Sequence, residues 1–206
     1  METFTHHEGV AAALLRPNID TDAIIPSREM KTVGKTGLAD GLFAGWRYRD
    51  ATTRDPDPDF VLNRPAQRGS SILLAGQNFG CGSSREHAVW ALKEYGIRTI
   101  VAPSFGAIFA GNCVRNGLLP VVLAMPQVEA LAASVAKDPS RARLRVDLER
   151  CEVVDAEGVA YGFEIAASQR EMLLKGLDPI GLTLQSSAIV DAFEALDRHA
   201  RPWIYF

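Results

Sequence analysis

Cysteine is scarce in this chain of 206 residues: Cys81, Cys113 and Cys151 are odd in number, far apart, and form no C-x-x-C pair. The four histidines, His6, His7, His87 and His199, stand at no ligand spacing with them. An iron–sulfur cluster takes about three or four thiolates from recognisable spacings. No metal ligand set is therefore assigned to this chain, and a metal used in its function must arrive on another chain. A basic stripe is also missing: Lys and Arg number 22 against 25 Asp and Glu, for a net charge of −3 spread over both signs. That argues against nucleic acid as a partner. No apolar run approaches the roughly 20 residues of a membrane helix. Met1 to Glu8 lacks the basic stretch and apolar core of a secretory signal. A cytoplasmic protein with no membrane partner is the expectation. Internal repeats and low-complexity tracts are absent, and the 47% apolar content is that of one generous globular domain.

Regular patterns begin after Pro65. Ser71 to Ala75 reads as a buried strand and Arg85 to Tyr95 as a helix with Gly96 as its C-terminal cap; Arg98 to Ala102 reads as the next strand. This is a βαβ unit, which implies parallel strands and a right-handed crossover. A helix over Ser104–Asn116, a strand over Leu119–Leu123 and a helix over Gln127–Lys137 continue it. Arg143 to Leu148 alternates like a half-buried strand, and Cys151–Val154 with Val159–Ile165 reads as a hairpin. Two helices, near Ala167–Lys175 and Ser187–His199, flank the breaker Gly176 to Gly181 and form a C-terminal helical extension over 167–206. Residues 24–65, rich in Gly, Pro, Asp and Arg, read as a long loop of functional or interface character. The fold class is α/β, with parallel core strands and an added hairpin.

The stretch Gly76-Gln-Asn-Phe-Gly-Cys-Gly-Ser-Ser-Arg-Glu86 lies between that first strand and its helix. A glycine-rich turn there presents backbone N–H groups at the positive end of a helix dipole, which suits anions. Ser83 and Ser84 add hydroxyls, and Arg85 adds a guanidinium able to grip a carboxylate through two parallel hydrogen bonds. The chemistry suits a small acidic metabolite. Ser83 and Glu86 also match a capping box, so a purely local role in starting the helix competes with ligand binding. Gly76, Gly80 and Gly82 favour the ligand, because a cap needs no glycines before it.

Other motifs fail on inspection. Gly34-Lys35-Thr36 lacks the earlier glycine of a P-loop, since Glu29 stands at that position. Asn18 to Asp22 lacks the glycine and the later Glu of a calcium loop, and an Asx-type turn is the plainer reading. Gly82-Ser-Ser-Arg-Glu86 misses the last glycine of a hydrolase elbow. His87, alone beyond the box, reads as a packing residue.

Together these residues resemble a known family. Asn78-Phe-Gly-Cys-Gly-Ser-Ser-Arg-Glu-His-Ala88 and Asn18-Ile-Asp-Thr-Asp-Ala-Ile-Ile-Pro26 resemble the motifs of the swivelling domain of the aconitase superfamily. Ala102-Pro-Ser-Phe105, Gly117-Leu-Leu-Pro120, Asp59-Phe-Val-Leu-Asn63 and Gly176 to Leu184 look like the small subunits of bacterial 3-isopropylmalate dehydratases. The resemblance spans nearly the whole chain. It implies a single three-layer β/β/α swivel domain over residues 1–206. It also implies a large subunit, in a heterodimer or heterotetramer, that carries a 4Fe–4S cluster, with no cofactor on this chain. The implied reaction isomerises 2- and 3-isopropylmalate by dehydration and rehydration in leucine synthesis, and the small subunit is inactive alone. By motif, Ser83 is implied as the base that removes the carbon-bound proton, and Gly82, Ser84 and Arg85 as binders of the dicarboxylate substrate. Asp22 and the loop residues Arg28, Met30 and Lys31 are implied on the substrate side; of these only Met30 offers an isopropyl group an apolar contact, and Lys31 either meets an extra carboxylate or, as long Lys side chains more often do, points to solvent. A related hydro-lyase acting on methylmalate, dimethylmalate or homoaconitate, or a stand-alone carboxylate-binding module, is the alternative.

Overall fold

The computed structural model of the chain describes residues 1–30, 34–50, 52–138 and 143–205. It opens with a strand, β1 (His6–Leu14), followed by two single-turn helices, α1 (Thr21–Ile24) and α2 (Ala44–Arg47). The regular core is β2 (Ile72–Ala75), α3 (Glu86–Tyr95), β3 (Thr99–Ala102), α4 (Ala107–Arg115), β4 (Leu119–Val122) and α5 (Met125–Lys137). An antiparallel set, β5 (Arg143–Asp147), β6 (Glu152–Val154) and β7 (Ala160–Gly162), precedes α6 (Ala167–Lys175), α7 (Pro179–Leu184) and α8 (Ser187–Ala200).

The seven strands form one curled sheet in the order β4-β3-β2-β1-β5-β6-β7. β1 joins its halves. Ala11 to Leu14 pair in parallel with Ile72 to Ala75, whereas His6 to Val10 pair antiparallel with Asp147 to Arg143. β2 and β3 are buried along their whole length, as a parallel sheet covered on both faces requires. Successive side chains point to opposite faces, so β2 feeds two cores. Leu73 and Ala75 pack with Ala88, Val89 and Leu92 of α3 and Phe109 and Cys113 of α4. Ile72 and Leu74 pack with Val128, Leu131 and Val135 of α5 and with Leu144 and Val146 of β5. Each fully buried Leu, Ile or Val contributes about 1.5–3 kcal/mol, so this double-sided strand is where the domain is tied together.

The expected strands and helices after Pro65 are present, with ends that differ by at most three residues; most are shorter, while α5 begins two residues earlier and α8 ends one residue later. Gly96 (φ 113°) ends α3 in the left-handed conformation, its N–H bonding back to the last turn. Three features depart from the sequence reading. β1 was not anticipated. The supposed breaker at Gly176–Gly181 contains the start of α7, where the Asp178 carboxylate accepts the Gly181 N–H and Pro179 occupies the first turn. Residues 24–65, read as a long loop, supply buried Ile25, Leu38, Leu42, Phe43, Phe60 and Leu62 to the α3/α4 side of the core.

Candidate active site

Three loops leave the carboxyl ends of β1, β2 and β3 and zip together beyond the sheet. The Asn18 N–H donates to the Gln77 carbonyl (2.9 Å), Gly80 N–H to Ile19 (2.7 Å), and Thr21 N–H to Cys81 (3.0 Å). On the other side, Phe79 N–H donates to Ser104 (3.0 Å) and Gly106 N–H to Phe79 (2.9 Å). Asn78 closes the seam by donating its backbone N–H to Ser104 Oγ and its side-chain amide to Asn18 Oδ1, both at 2.8 Å. The Asn18–Pro26, Asn78–Ala88 and Pro103–Phe105 motifs, far apart in sequence, thus form one parallel ladder. Phe79, Phe105 and Phe109 pack edge-to-face and stacked at 5.5–6.5 Å beneath it.

The glycines of the turn serve this packing before any ligand. A Cβ on Gly76 would sit 2.4 Å from the Arg16 carbonyl oxygen, and one on Gly80, at φ +71°, would sit 2.2 Å from the Phe109 ring. Only Gly82 (φ +86°) has space, its nearest neighbour being Asp20 Cβ at 3.4 Å. Gly76 and Gly80 are thus required by packing, and of the three expected to favour a ligand only Gly82 is left to do so.

The capping box is corrected too. α3 begins at Glu86, its cap residue is Arg85, and no side chain caps it. The Ser83 carbonyl is held by the Thr21 hydroxyl at 2.9 Å, and the Glu86 carboxylate accepts from the Asn116 amide at 2.7 Å. Those two contacts draw the would-be cap pair apart. Among the described residues neither serine hydroxyl has a hydrogen-bond partner, and both serines are exposed. The local reading does hold for Asp20, whose carboxylate caps α1 by accepting from the Ala23 N–H at 2.7 Å.

Gly82, Ser83, Ser84 and Arg85 line one cavity of about 260 Å³, together with Thr21, Gly106, Ile108 and Phe109. The Arg85 guanidinium pairs with Asp22 Oδ1, which also accepts from the Ser27 hydroxyl at 3.3 Å. Asp22 is half exposed and Arg85 a quarter exposed, so the pair contributes at most about 1 kcal/mol. A stronger carboxylate partner can exchange with it. Among the described residues, Asp22, Arg28 and Met30 do not line these walls. Arg28 sits on the short 3₁₀ turn Ser27–Glu29, 3.5 Å from the Glu29 carboxylate, and Met30 packs against the core. Lys31 lies outside the described residues. His87 stacks on Trp90 with ring centroids 4.7 Å apart. Thr21, which fixes the turn, and Ile108 lie in motifs that the sequence displays, but their roles at this cavity, like that of Gly106, carried no signal of their own.

A family model for the aconitase C-terminal domain matches residues 1–126, and a second, LeuD_N, matches residues 129–167. A 3-isopropylmalate dehydratase small subunit from Cupriavidus necator is 66% identical over 206 residues, covering 100% of this chain and 99% of the relative. The chain belongs to the family of 3-isopropylmalate dehydratase small subunits. A small subunit of the same name from Rhodospirillum centenum is 51% identical over 203 residues, 98% of each chain. A crystal structure of 3-isopropylmalate dehydratase from Methanocaldococcus jannaschii superposes with a TM-score of 0.66 at 26% identity, covering 91% of this chain and 98% of that one.

The metal-ligand chemistry of this chain is thin. Among the described residues no three His, Cys, Asp or Glu side chains come together as a metal site. Cys113 is fully buried, and burial pushes its thiol well above the usual range, which keeps it protonated and inert. The donor set of a 4Fe–4S cluster does not fit the residues present.

Proposed function

We propose that this chain is the half of a 3-isopropylmalate dehydratase that holds and deprotonates the substrate. The hydro-lyase interconverts 2- and 3-isopropylmalate through an alkene, in leucine biosynthesis. The observation that carries this reading is the Ser83-Ser84-Arg85 edge: unbonded hydroxyls and a loosely held guanidinium on a backbone locked at the carboxyl ends of three parallel strands. Ligands of open α/β sheets bind in such crevices.

In the proposed site Arg85 and Ser84, with the Gly82 backbone, bind a substrate carboxylate. Ser83 Oγ takes the carbon-bound proton. A serine hydroxyl is a weak base near neutral pH, so its anionic form needs stabilising charge. The N-terminus of α3 carries about half a positive charge, and Arg85 adds a full one; preorganised charges of this kind act where negative charge develops. Asp22 is better placed to aim Arg85 than to touch a dicarboxylate that it would repel. Arg28, Met30 and Lys31, on the segment that follows, are proposed to meet the variable substituent of the substrate.

The other wall belongs to a large subunit, in a heterodimer or heterotetramer. A 4Fe–4S cluster on that subunit would supply Lewis acidity for the leaving hydroxyl. No step on this chain is routed through it. The assembled enzyme is proposed to be cytoplasmic.

Reconstitution tests the reading. The chain mixed with its cluster-bearing cognate large subunit is expected to turn over 3-isopropylmalate, followed by absorbance of the alkene, and to prefer it over methylmalate and homocitrate. Neither chain alone should be active. An assembled complex with an intact cluster that leaves 3-isopropylmalate untouched would refute the proposal.

A further inference from the structure

A second cavity, of about 720 Å³, shares no lining residue with the Ser83 cavity. It opens where α3 and the C-terminal end of α4 meet the turn between α6 and α7. Its cationic groups are the Lys35, Lys93 and Arg115 side chains and the Met1 α-ammonium, which donates to the Gly176 carbonyl at 2.9 Å; its carboxylates are Glu94 and Asp178.

Both carboxylates are committed inside the chain. Glu94 Oε1 accepts from the Gly37 N–H at 2.6 Å, and Oε2 from Leu38 and Ala39 at 2.5 and 2.9 Å. Burial alone would raise the Glu94 carboxyl, but these three donors outweigh it and hold the group below its ordinary range. Asp178 Oδ1 is occupied by the Gly181 N–H at 2.7 Å. The cations are less well answered. Lys93 Nζ donates to the Asn116 carbonyl at 2.7 Å, and Arg115 to Asn112 Oδ1 at 2.5 Å, both neutral acceptors. Burial first, then repulsion from Arg98 and, more weakly, from Lys35, outweigh the attraction of the Glu2 carboxylate and hold the Lys93 ammonium below its ordinary range.

Part of this has a local explanation, since Lys93 and Arg115 neutralise the negative C-terminal end of α4. That accounts for neither Lys35, which comes from another segment, nor the open volume. Beside the polar Thr36 and Asn116, the remaining wall offers apolar surface from Met1, Trp90 and Leu177. Lys35 Nζ sits 5.1 Å from the centre of the Trp90 ring, whose own N–H is spent on Asn116 Oδ1 (3.1 Å), and Leu177 faces it from the far turn. A dianion such as phosphate would meet the carbonyl end of α4, which repels it. A single negative charge on an apolar body matches both the small excess of cations and the aromatic wall.

We propose that this cavity is a binding site for a small organic monocarboxylate, its carboxylate held by Lys93, Arg115 and Lys35 and its apolar part resting on Trp90 and Leu177. Calorimetric titration of the full chain with 3-methylbutanoate tests it, with inorganic phosphate as the second probe and Arg85→Gln as the control for the Ser83 cavity. The expected result is saturable binding of 3-methylbutanoate near millimolar Kd, with phosphate weaker. Binding should persist in Arg85→Gln and weaken about tenfold, or 1.4 kcal/mol, in Lys93→Gln and Arg115→Gln. Lys35→Gln, at an exposed side chain, serves if either of those variants unfolds, and should weaken binding severalfold. Loss of binding in Arg85→Gln alone, tighter binding of phosphate, or no saturable binding would each overturn the site.

Discussion

Residues 76–85 and residues 179–205 are both short of regular core, yet they are opposites. In the first, the backbone is pinned on two sides by neighbouring loops and the side chains Ser83 and Ser84 are left free. In the second, α7 and α8 are regular helix, and not one of their residues is buried. Ile189, Phe193 and Leu196 stand 60–74% exposed on α8, with Trp203 beyond it. Free hydroxyls on a fixed frame are what catalysis needs, because preorganisation removes the entropy of aiming. Free apolar side chains on a regular frame mark a surface that contributes little to the fold of the isolated chain. A locked backbone and a buried side chain are therefore separate properties in this molecule, and they fall in different places.

Substitutions can break that contrast. The largest expected stability effect is at Gly80. A methyl there meets the Phe109 ring and a left-handed backbone, so Gly80→Ala should cost about 2–4 kcal/mol from strain and overpacking combined. A denaturant midpoint unchanged from the parent chain would show that the turn is not locked. Asp22→Asn should be milder. It weakens the aim of Arg85 without touching the frame, so the assembled enzyme should show KM for 3-isopropylmalate raised a few-fold with little loss of stability, within about 0.5 kcal/mol as for most surface changes. An unchanged KM would mean that Arg85 is aimed by something else. Smallest of all, Leu196→Ser on α8 should shift the unfolding free energy of the isolated chain by no more than about 0.5 kcal/mol. A loss of 2 kcal/mol or more, the scale of a buried Leu, would mean that the helix packs on the core after all.

The same contrast explains what could be read from the residues. The βαβ core was legible because its strands are short continuous apolar runs and its helices stop at glycines such as Gly96. α8 was legible from its period alone, which needs no knowledge of what covers it. β1 was not, because its two halves belong to different ladders: Ala11 to Leu14 lie in a parallel sheet, while His6 to Val10 alternate at an antiparallel seam. Neither half is long enough to announce a period. Residues 24–65 hide their core contacts in single apolar side chains, among them Phe43 and Phe60, spread over turns too short for any repeat. At the site, the motifs were visible but their apposition was not. The Ser83–Glu86 spacing was genuine, yet Thr21 and Asn116 take the two groups a capping box would use, and neither contact can be inferred from local sequence. The Arg85–Asp22 pair is of the same kind, since it spans 63 positions and depends on the register of the β1 and β2 loops.

Ser83→Ala, assayed in the complex with the large subunit, tests the central claim most directly, because it removes the free hydroxyl and leaves the locked frame. Turnover of 3-isopropylmalate should fall by about 10²–10⁴-fold, the usual worth of a general base, while complex formation and the unfolding midpoint stay as in the parent. Activity retained within tenfold, or a loss of activity matched by a loss of folding, would contradict it.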